Sequence, residues 1–220
     1  MRTLHALGLL LSYPTNELVE VMPELRNVLL AEEFVRAETL TTLEPLFKTV
    51  RDVPLLDLQE DYVSLFDRQP GLSLHLFEHV YGESRDRGQA LAELSDLYAS
   101  SGMLVANGET PDYLPAFVEF LGAQPEKEAR RLLGEVGHIL LLLSQRLEQR
   151  QSPYGAVMRA LTGLCEPHPE ETRVEEASRI NPDEAPDLEK SWEEPEAFPS
   201  RACGSTLATT DNTRKAKMRG

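Results

Sequence analysis

The sequence predicts an all-α protein, with a single-domain helical bundle over residues 1–165 and a tail after it. Leucine far outnumbers valine and isoleucine, and apolar residues recur three and four positions apart, the spacing of an amphipathic helix. The alternation of apolar and polar residues that marks a β-strand is almost absent. The chain of 220 residues is long enough for one well-packed domain with a tail, and short for two domains.

Taken in order along the chain, eight segments carry a helical pattern. The first starts near the N-terminus, aligns its leucines in one stripe and ends before Pro14. The other seven lie at about 17–30, 32–50, 55–67, 84–101, 112–121, 125–149 and 153–164. Because proline disrupts a helix interior, Pro23 implies a late start or a kink in the second segment. The 125–149 segment has a broad apolar face, so we expect it to be the central, most buried helix.

The 84–101 segment has a predicted start and a predicted buried face. Ser84 is predicted to be its N-cap and Asp86 to lie in its first turn, where a negative charge favours the helix. The apolar residues that recur at helical spacing here are Ala90, Leu91, Leu94, Leu97 and Tyr98. The segment is therefore expected to pack this face against the bundle.

Residues 166–220 are predicted to be a disordered tail, acidic at first and basic at its end. Pro, Glu, Asp and Ser dominate its first part, and it has too few apolar residues to offset the entropy of ordering. The whole chain has a formal charge of −15, and the helical region is itself acidic. Since a nucleic-acid binder needs a basic surface, the charge argues against nucleic acid and favours a cationic partner.

The compartment is predicted to be the cytoplasm. The two cysteines, Cys165 and Cys203, form neither a disulfide framework nor a metal-ligand spacing. The leucine-rich opening lacks the small-residue cleavage site of a signal peptide. The longest fully apolar run, residues 139–143, is too short to span a bilayer, so no direct membrane insertion is expected.

The segment 62–88 is the most distinctive stretch of the chain. His75 and His79 are four residues apart and would share a helix face, with Glu78 between them. This could seed a metal site, but the glutamate does not follow the first histidine as it does in zinc peptidases, and spacing suggests no third ligand. No phosphate loop, dinucleotide fingerprint or nucleophile elbow is present, so the residues indicate an interaction protein rather than an enzyme.

The loop at residues 109–115 allows two interpretations. In the first it is a capped turn, with Asp112 as the N-cap of a short helix and Pro115 in its first turn. In the second, Asp112 and Tyr113 face a groove and contact a partner. Both interpretations stay open at this point.

Several of these motifs resemble the assembly chaperones of respiratory nitrate reductases, the NarJ or delta-subunit family. The matching residues of the first part are Tyr62, Val63, Phe66 and Asp67, then Leu74–Val80, Gly82–Ser84 and Asp86–Gly88. Those of the second part are Pro111–Pro115 and Glu119–Leu121. The opening helix that closes in Leu11–Pro14 also fits, and the resemblance covers about residues 1–164.

The resemblance implies an all-α bundle that binds the N-terminal segment of the nitrate reductase catalytic (alpha) subunit. Such a chaperone holds that subunit in its apo form, permits insertion of the molybdenum cofactor and delays membrane docking; it carries no cofactor of its own. An acidic helical groove would suit a short, amphipathic and basic segment. The alternatives are a chaperone for another molybdoenzyme with a twin-arginine leader, a direct carrier of the molybdenum cofactor, and a metal-dependent enzyme built on His75, Glu78 and His79.

The resemblance also suggests which residues meet the partner. On one side, the residues expected to line or shape the groove are Tyr62, Phe66, His75, Phe77, His79 and Glu83. Across the groove lie Asp112 and Tyr113. We hypothesise that Asp112 offers its charge to an arginine or lysine of the bound segment while the aromatic side chains cover its apolar face.

Overall fold

The computed structural model describes residues 1–81, 84–105 and 108–165, and this part of the chain is helical. Its helices are α1 (Arg2–Leu10), α2 (Asn16–Glu32), α3 (Ala37–Asp52), α4 (Leu55–Tyr62), α5 (Glu78–Tyr81), α6 (Asp86–Ser100), α7 (Leu114–Ala123), α8 (Glu126–Glu135), α9 (Gly137–Gln149) and α10 (Gly155–Thr162). The all-α prediction is confirmed. The tail predicted to be disordered lies outside the described residues.

Helices α1, α7, α9 and α10 form the centre of the bundle. α9 packs along α10, and α1 packs against both α7 and α2. The leucine stripe predicted for α1 is fully buried, as are the inward faces of α9 and α10; the residues are Leu4, Leu7, Leu10 and Leu11, then Ile139, Leu140, Leu143 and Leu147, then Val157, Met158 and Leu161. Among residues 1–81, 84–105 and 108–165, no helix is both long and apolar enough to cross a membrane.

The prediction of a single helix over residues 125–149 is wrong, because the structure has two helices there. α8 ends at Glu135 and α9 begins at Gly137, with Val136 between them outside regular helical geometry. Two glycines, Gly134 and Gly137, flank this residue, and glycine is a poor helix former. The apolar periodicity continues across the break, so periodicity alone could not reveal it. α9 retains the predicted role of a central, buried helix.

Two other helix predictions need adjustment. α2 begins at Asn16, where Thr15 caps it by accepting a hydrogen bond from the Leu18 N–H at 3.2 Å, so Pro23 does not delay the start. The segment predicted to end near Asp67 does end there, but its last turn is a π-helix, Val63–Asp67. Such a turn inserts an extra residue into the helix and is frequent at functional sites.

α6 is more exposed than its sequence predicts. Of the five apolar residues expected to pack into the bundle, only Tyr98 is buried, and Leu97 is 39% exposed. The Tyr98 hydroxyl donates to the Pro111 carbonyl at 2.7 Å, and its ring lies 4.6 Å from that of Phe120. α6 is thus fixed near its C-terminal end, while much of its apolar face stays accessible.

The start of α1 is held by a carboxylate from the end of α2. Glu32 accepts hydrogen bonds from the Thr3 N–H and the Thr3 hydroxyl, both at 2.8 Å, and from the Arg2 guanidinium at 3.0 Å. A negative charge at this position satisfies free N–H groups and complements the helix dipole. Burial opposes ionisation of Glu32, but these hydrogen bonds outweigh it and lower its pKa to about 2.

Glu32→Gln should therefore lower the free energy of unfolding by about 2 kcal/mol at neutral pH, because it loses charge-assisted hydrogen bonds. The folded-state pKa is depressed, so the contribution of Glu32 is present above its ordinary pKa of 4.5 and is lost as the pH falls towards 2. Urea unfolding at several pH values measures this. A difference between parent and variant that stays constant from pH 7 down to 2 would contradict the assignment.

Candidate partner-binding site

The two motifs singled out in the sequence meet in the structure. His75 and Tyr113 form an isolated antiparallel β-bridge, in which the Leu76 N–H donates to the Asp112 carbonyl at 2.9 Å. The Leu114 N–H donates in turn to the Leu74 carbonyl at 2.8 Å. Chain segments about 35 residues apart are thereby clamped together by backbone hydrogen bonds.

Asp112 lies at the centre of this clamp and is completely buried. Its carboxylate accepts hydrogen bonds from the Phe77 N–H at 3.1 Å and from the Thr110 hydroxyl. It also lies 3.6 Å from His75 Nδ1 and 4.0 Å from the Arg87 guanidinium. Burial opposes ionisation, but the hydrogen bonds from these neighbours outweigh it and lower the pKa of Asp112.

This geometry changes both interpretations of Asp112. The N-cap of α7 is Tyr113, and no side chain caps that helix, so the N-cap prediction for Asp112 is wrong, although Pro115 does lie in the first turn. The carboxylate is already bonded within the protein and has no exposed surface, so in this conformation it does not reach a bound segment. It holds the backbone that presents Tyr113.

His75 and His79 do not share a helix face, contrary to the sequence prediction. His75 lies in the extended bridge, whereas His79 lies in the short helix α5. His75 Nδ1 donates to the Thr110 oxygen at 3.0 Å, since the Thr110 proton goes to Asp112, and the Asp112 carboxylate raises the pKa of His75 against partial burial.

His79 is engaged separately. Its Nε2–H donates to the Ser73 carbonyl at 2.8 Å, and burial lowers its pKa. Within the described ranges, no three His, Cys, Asp or Glu side chains are placed to hold a metal ion. The shared helix face that motivated the His75–Glu78–His79 metal hypothesis is therefore not present.

Tyr62 and Phe66 belong to a buried aromatic cluster rather than to an exposed wall. They are only 3% and 4% exposed, and their ring centroids are 4.8 Å apart. The Tyr62 hydroxyl donates to the Leu11 carbonyl at 2.7 Å and accepts from the Tyr113 hydroxyl at 3.0 Å. Of the two alternatives, lining or shaping a groove, these residues are placed to shape one, through Tyr113.

The remaining predicted residues lie at the edge of this network. The Phe77 ring is half-buried and contacts the Tyr81 ring edge-on, with centroids 5.4 Å apart. Glu83 lies outside the described residues. The sequence did not point to Tyr154, whose ring packs against Phe66 at 5.1 Å and joins the cluster from the turn before α10.

An open groove runs between α1 and the start of α7, beside the clamp. We call it the α1–α7 groove; it encloses about 420 Å³ and is lined by His5, Gly8, Leu9, Ser12, Met103, Leu104, Val105, Glu109, Tyr113, Pro115, Ala116 and Glu119. Of the eight site residues predicted from sequence, Tyr113 lines it directly. The groove is mostly apolar, and the carboxylates of Glu109 and Glu119 lie at its rim.

Two exposed leucines flank the α1–α7 groove. Leu9 is 43% exposed and Leu104 is 82% exposed, so both offer apolar surface beside the groove. Leu9 departs from the stripe of buried leucines in α1, and this departure was the available signal in the sequence. A Cβ atom at Gly8 would lie 3.3 Å from the Pro115 carbonyl oxygen, so glycine allows α1 and α7 to approach closely.

The groove rim is negatively charged. Glu109 and Glu119 are exposed, and within the described part of the chain neither forms an ion pair. An apolar floor between free carboxylates suits an amphipathic segment that carries basic side chains.

Comparisons with known proteins show the family of this chain. A family model described as the nitrate reductase delta subunit matches residues 17–160. The chain belongs to this family. The nitrate reductase molybdenum cofactor assembly chaperone NarJ of Escherichia coli strain K12 is 35% identical over 211 residues, which cover 94% of this chain and 89% of that protein.

Two further relatives extend the comparison. The probable nitrate reductase molybdenum cofactor assembly chaperone NarW of the same strain is 36% identical over 88% of this chain and 82% of its own length. The probable assembly chaperone NarJ of Bacillus subtilis strain 168 is 31% identical over 74% of this chain and 88% of its own length. These relatives are named as assembly chaperones and not as catalysts. Their names support the prediction that this protein is not an enzyme.

Proposed function

We propose that this protein is an assembly chaperone of respiratory nitrate reductase, which binds the N-terminal segment of the apo catalytic subunit in the α1–α7 groove. The observation that carries the proposal is the 35% identity to an assembly chaperone over 94% of the chain. While bound, the chaperone permits molybdenum cofactor insertion and keeps the catalytic subunit from docking at the membrane.

The chemistry of the groove supports this assignment. Leu9 and Leu104 offer apolar surface to the anchors of an amphipathic segment, and burial of that surface drives association. Glu109 and Glu119 meet its basic side chains. The overall charge of −15 attracts a cationic segment at long range, so association weakens as salt rises.

The residues of the clamp have a positioning role in this proposal. Asp112 and His75 fix the backbone on either side of Tyr113, while Tyr62 fixes its hydroxyl. Tyr113 therefore lines the groove in a fixed position. A prepositioned wall lowers the entropy lost on binding.

The test is calorimetric titration of the full chain with the N-terminal peptide of the same organism's nitrate reductase catalytic subunit. We expect saturable binding that weakens with salt. A twin-arginine leader peptide from another molybdoenzyme serves as competitor, and displacement by it with higher affinity would assign the chaperone to that enzyme instead. A folded protein that binds neither peptide would contradict the proposal.

Charge reversal at the rim gives a sharper prediction. Glu109→Lys combined with Glu119→Lys should raise the Kd for the peptide at low salt about tenfold, because two attractive contacts become repulsive. Glu20→Lys with Glu24→Lys is the matched control, since it changes the total charge equally at exposed positions of α2 outside the groove. Equal weakening by both pairs would mean that only the net charge matters.

A further inference from the structure

A second groove, larger than the first, lies between α2 and α3. We call it the α2–α3 groove; it encloses about 960 Å³. Its apolar floor includes Val19, Met22 and Phe47, and its rim includes Arg26, Lys48 and Arg51. Nothing in the proposed chaperone function uses this surface.

The rim is unusual because it concentrates positive charge on an acidic protein. Arg26 is neutralised by Glu44 across the groove, at 2.7 Å. Lys48 forms no ion pair within the described residues, and Arg51 pairs only with its exposed neighbour Asp52, at 2.8 Å. That pair uses Nε and Nη2 of Arg51, at 2.8 and 3.2 Å, and leaves the N–H groups of Nη1 for a second carboxylate. The end of the groove at Lys48 and Arg51 therefore presents cationic groups available to a carboxylate.

The same chain carries a surface of the opposite character on α4. Leu56 is 74% exposed, and its neighbours Asp57, Glu60 and Asp61 are exposed as well. In the described part of the chain these three carboxylates form no ion pair. A prominent leucine surrounded by carboxylates matches an apolar groove with a cationic rim in both polarity and charge.

These two surfaces cannot meet within one molecule. α4 buries Leu58 and Tyr62 in the bundle, which holds its opposite face, with Leu56, towards solvent. Each molecule thus presents both halves of a contact, as a two-fold symmetric interface requires.

We propose that two copies of this chain associate through the α2–α3 groove, each laying the exposed face of α4 along the groove of the other. Leu56 is the central apolar anchor, because it is 74% exposed on the free face of α4. The groove has room for a helix face and not only for one side chain. Asp57 and Glu60 meet Lys48 and Arg51 of the second copy. The contact is salt-dependent and leaves the α1–α7 groove open for its peptide.

Sedimentation equilibrium of the full chain at low salt, from low micromolar to several hundred micromolar, tests the proposal. We expect a reversible monomer–dimer equilibrium that shifts towards monomer at high salt. Leu56→Asp should abolish the dimer, and Lys48→Glu should raise its Kd about tenfold. Both residues are exposed, so neither variant should affect folding, which circular dichroism checks. Leu97→Asp, on α6, is the matched control and should leave the equilibrium unchanged.

The decisive variant combines Lys48→Glu with Glu60→Lys, which exchanges the charges across the interface. This variant should restore the dimer affinity that Lys48→Glu alone lowers. A protein that stays monomeric throughout, or a dimer that tolerates both Leu56→Asp and Lys48→Glu, would overturn the proposal. Peptide titration of the same variants separates the two functions, since loss of dimerisation should leave peptide affinity as in the parent.

Discussion

Asp112→Ala is expected to lower the free energy of unfolding by about 3–5 kcal/mol, the range for breaking a buried, hydrogen-bonded charge interaction. The carboxylate is fully buried, and its removal leaves the Phe77 N–H and the Thr110 hydroxyl without their acceptor. The clamp between the His75 and Tyr113 segments then loses its centre. Urea unfolding followed by circular dichroism measures the loss.

Two variants calibrate this result. Asp96→Ala removes an exposed carboxylate of α6 and should change stability by less than about 0.5 kcal/mol. Asp112→Asn keeps the shape but removes the charge, so it should return the pKa of His75 from its raised value towards the ordinary 6.5, because Asp112 is the main cause of the shift. Nuclear magnetic resonance titration of the His75 ring would show it. An unchanged titration would contradict the coupling.

The same pair gives a defined pH dependence. Since His75 has a raised pKa in the folded state, its contribution is present below pH 6.5 and is lost as the pH rises through the raised value. Asp112 has a lowered pKa, so its contribution is present above pH 3.8 and is lost as the pH falls through the lowered value. The clamp is therefore most stabilising between these limits, and the advantage of the parent over Asp112→Asn should shrink in alkaline solution.

Ala116→Trp should raise the Kd for the N-terminal peptide of the catalytic subunit by about thirtyfold, or about 2 kcal/mol. Ala116 is a small, half-buried residue that lines the α1–α7 groove, so an indole there occupies the space of the bound segment without entering the core. Calorimetric titration measures the effect. The expected loss is larger than that from rim charges because it excludes the apolar anchors themselves.

The control for this experiment lies on the same helix. Ala123 ends α7, is exposed and does not line the groove, so Ala123→Trp should bind the peptide as the parent does. If Ala116→Trp binds equally well, the peptide occupies another surface. The comparison then separates a wrong location from a wrong function, since binding itself would persist.

Composition, helical periodicity and motifs were enough to predict the fold class, the positions of most helices and the family. The spacing of apolar residues was enough to predict the helices, because leucines three and four positions apart share one buried face only when the segment is helical. Helix α1 is an example. The motifs around His75 and Tyr113 were recognisable because they are long and specific. The structure brings several of their residues together: His75 and Asp112 meet around Thr110, and Tyr62 bonds to Tyr113 beside them.

The contacts of each of these residues became clear from the three-dimensional packing alone. Local spacing placed His75 and His79 on one helix, but a long-range backbone bridge to Tyr113 holds His75 in an extended conformation. The sequence favoured an exposed charge or an N-cap for Asp112, yet this residue is fully buried. The Phe77 N–H and His75, about 35 residues away, join the nearby Thr110 hydroxyl in lowering its pKa. Burial and partner choice depend on which distant segments pack together, and a linear pattern carries no direct record of that packing.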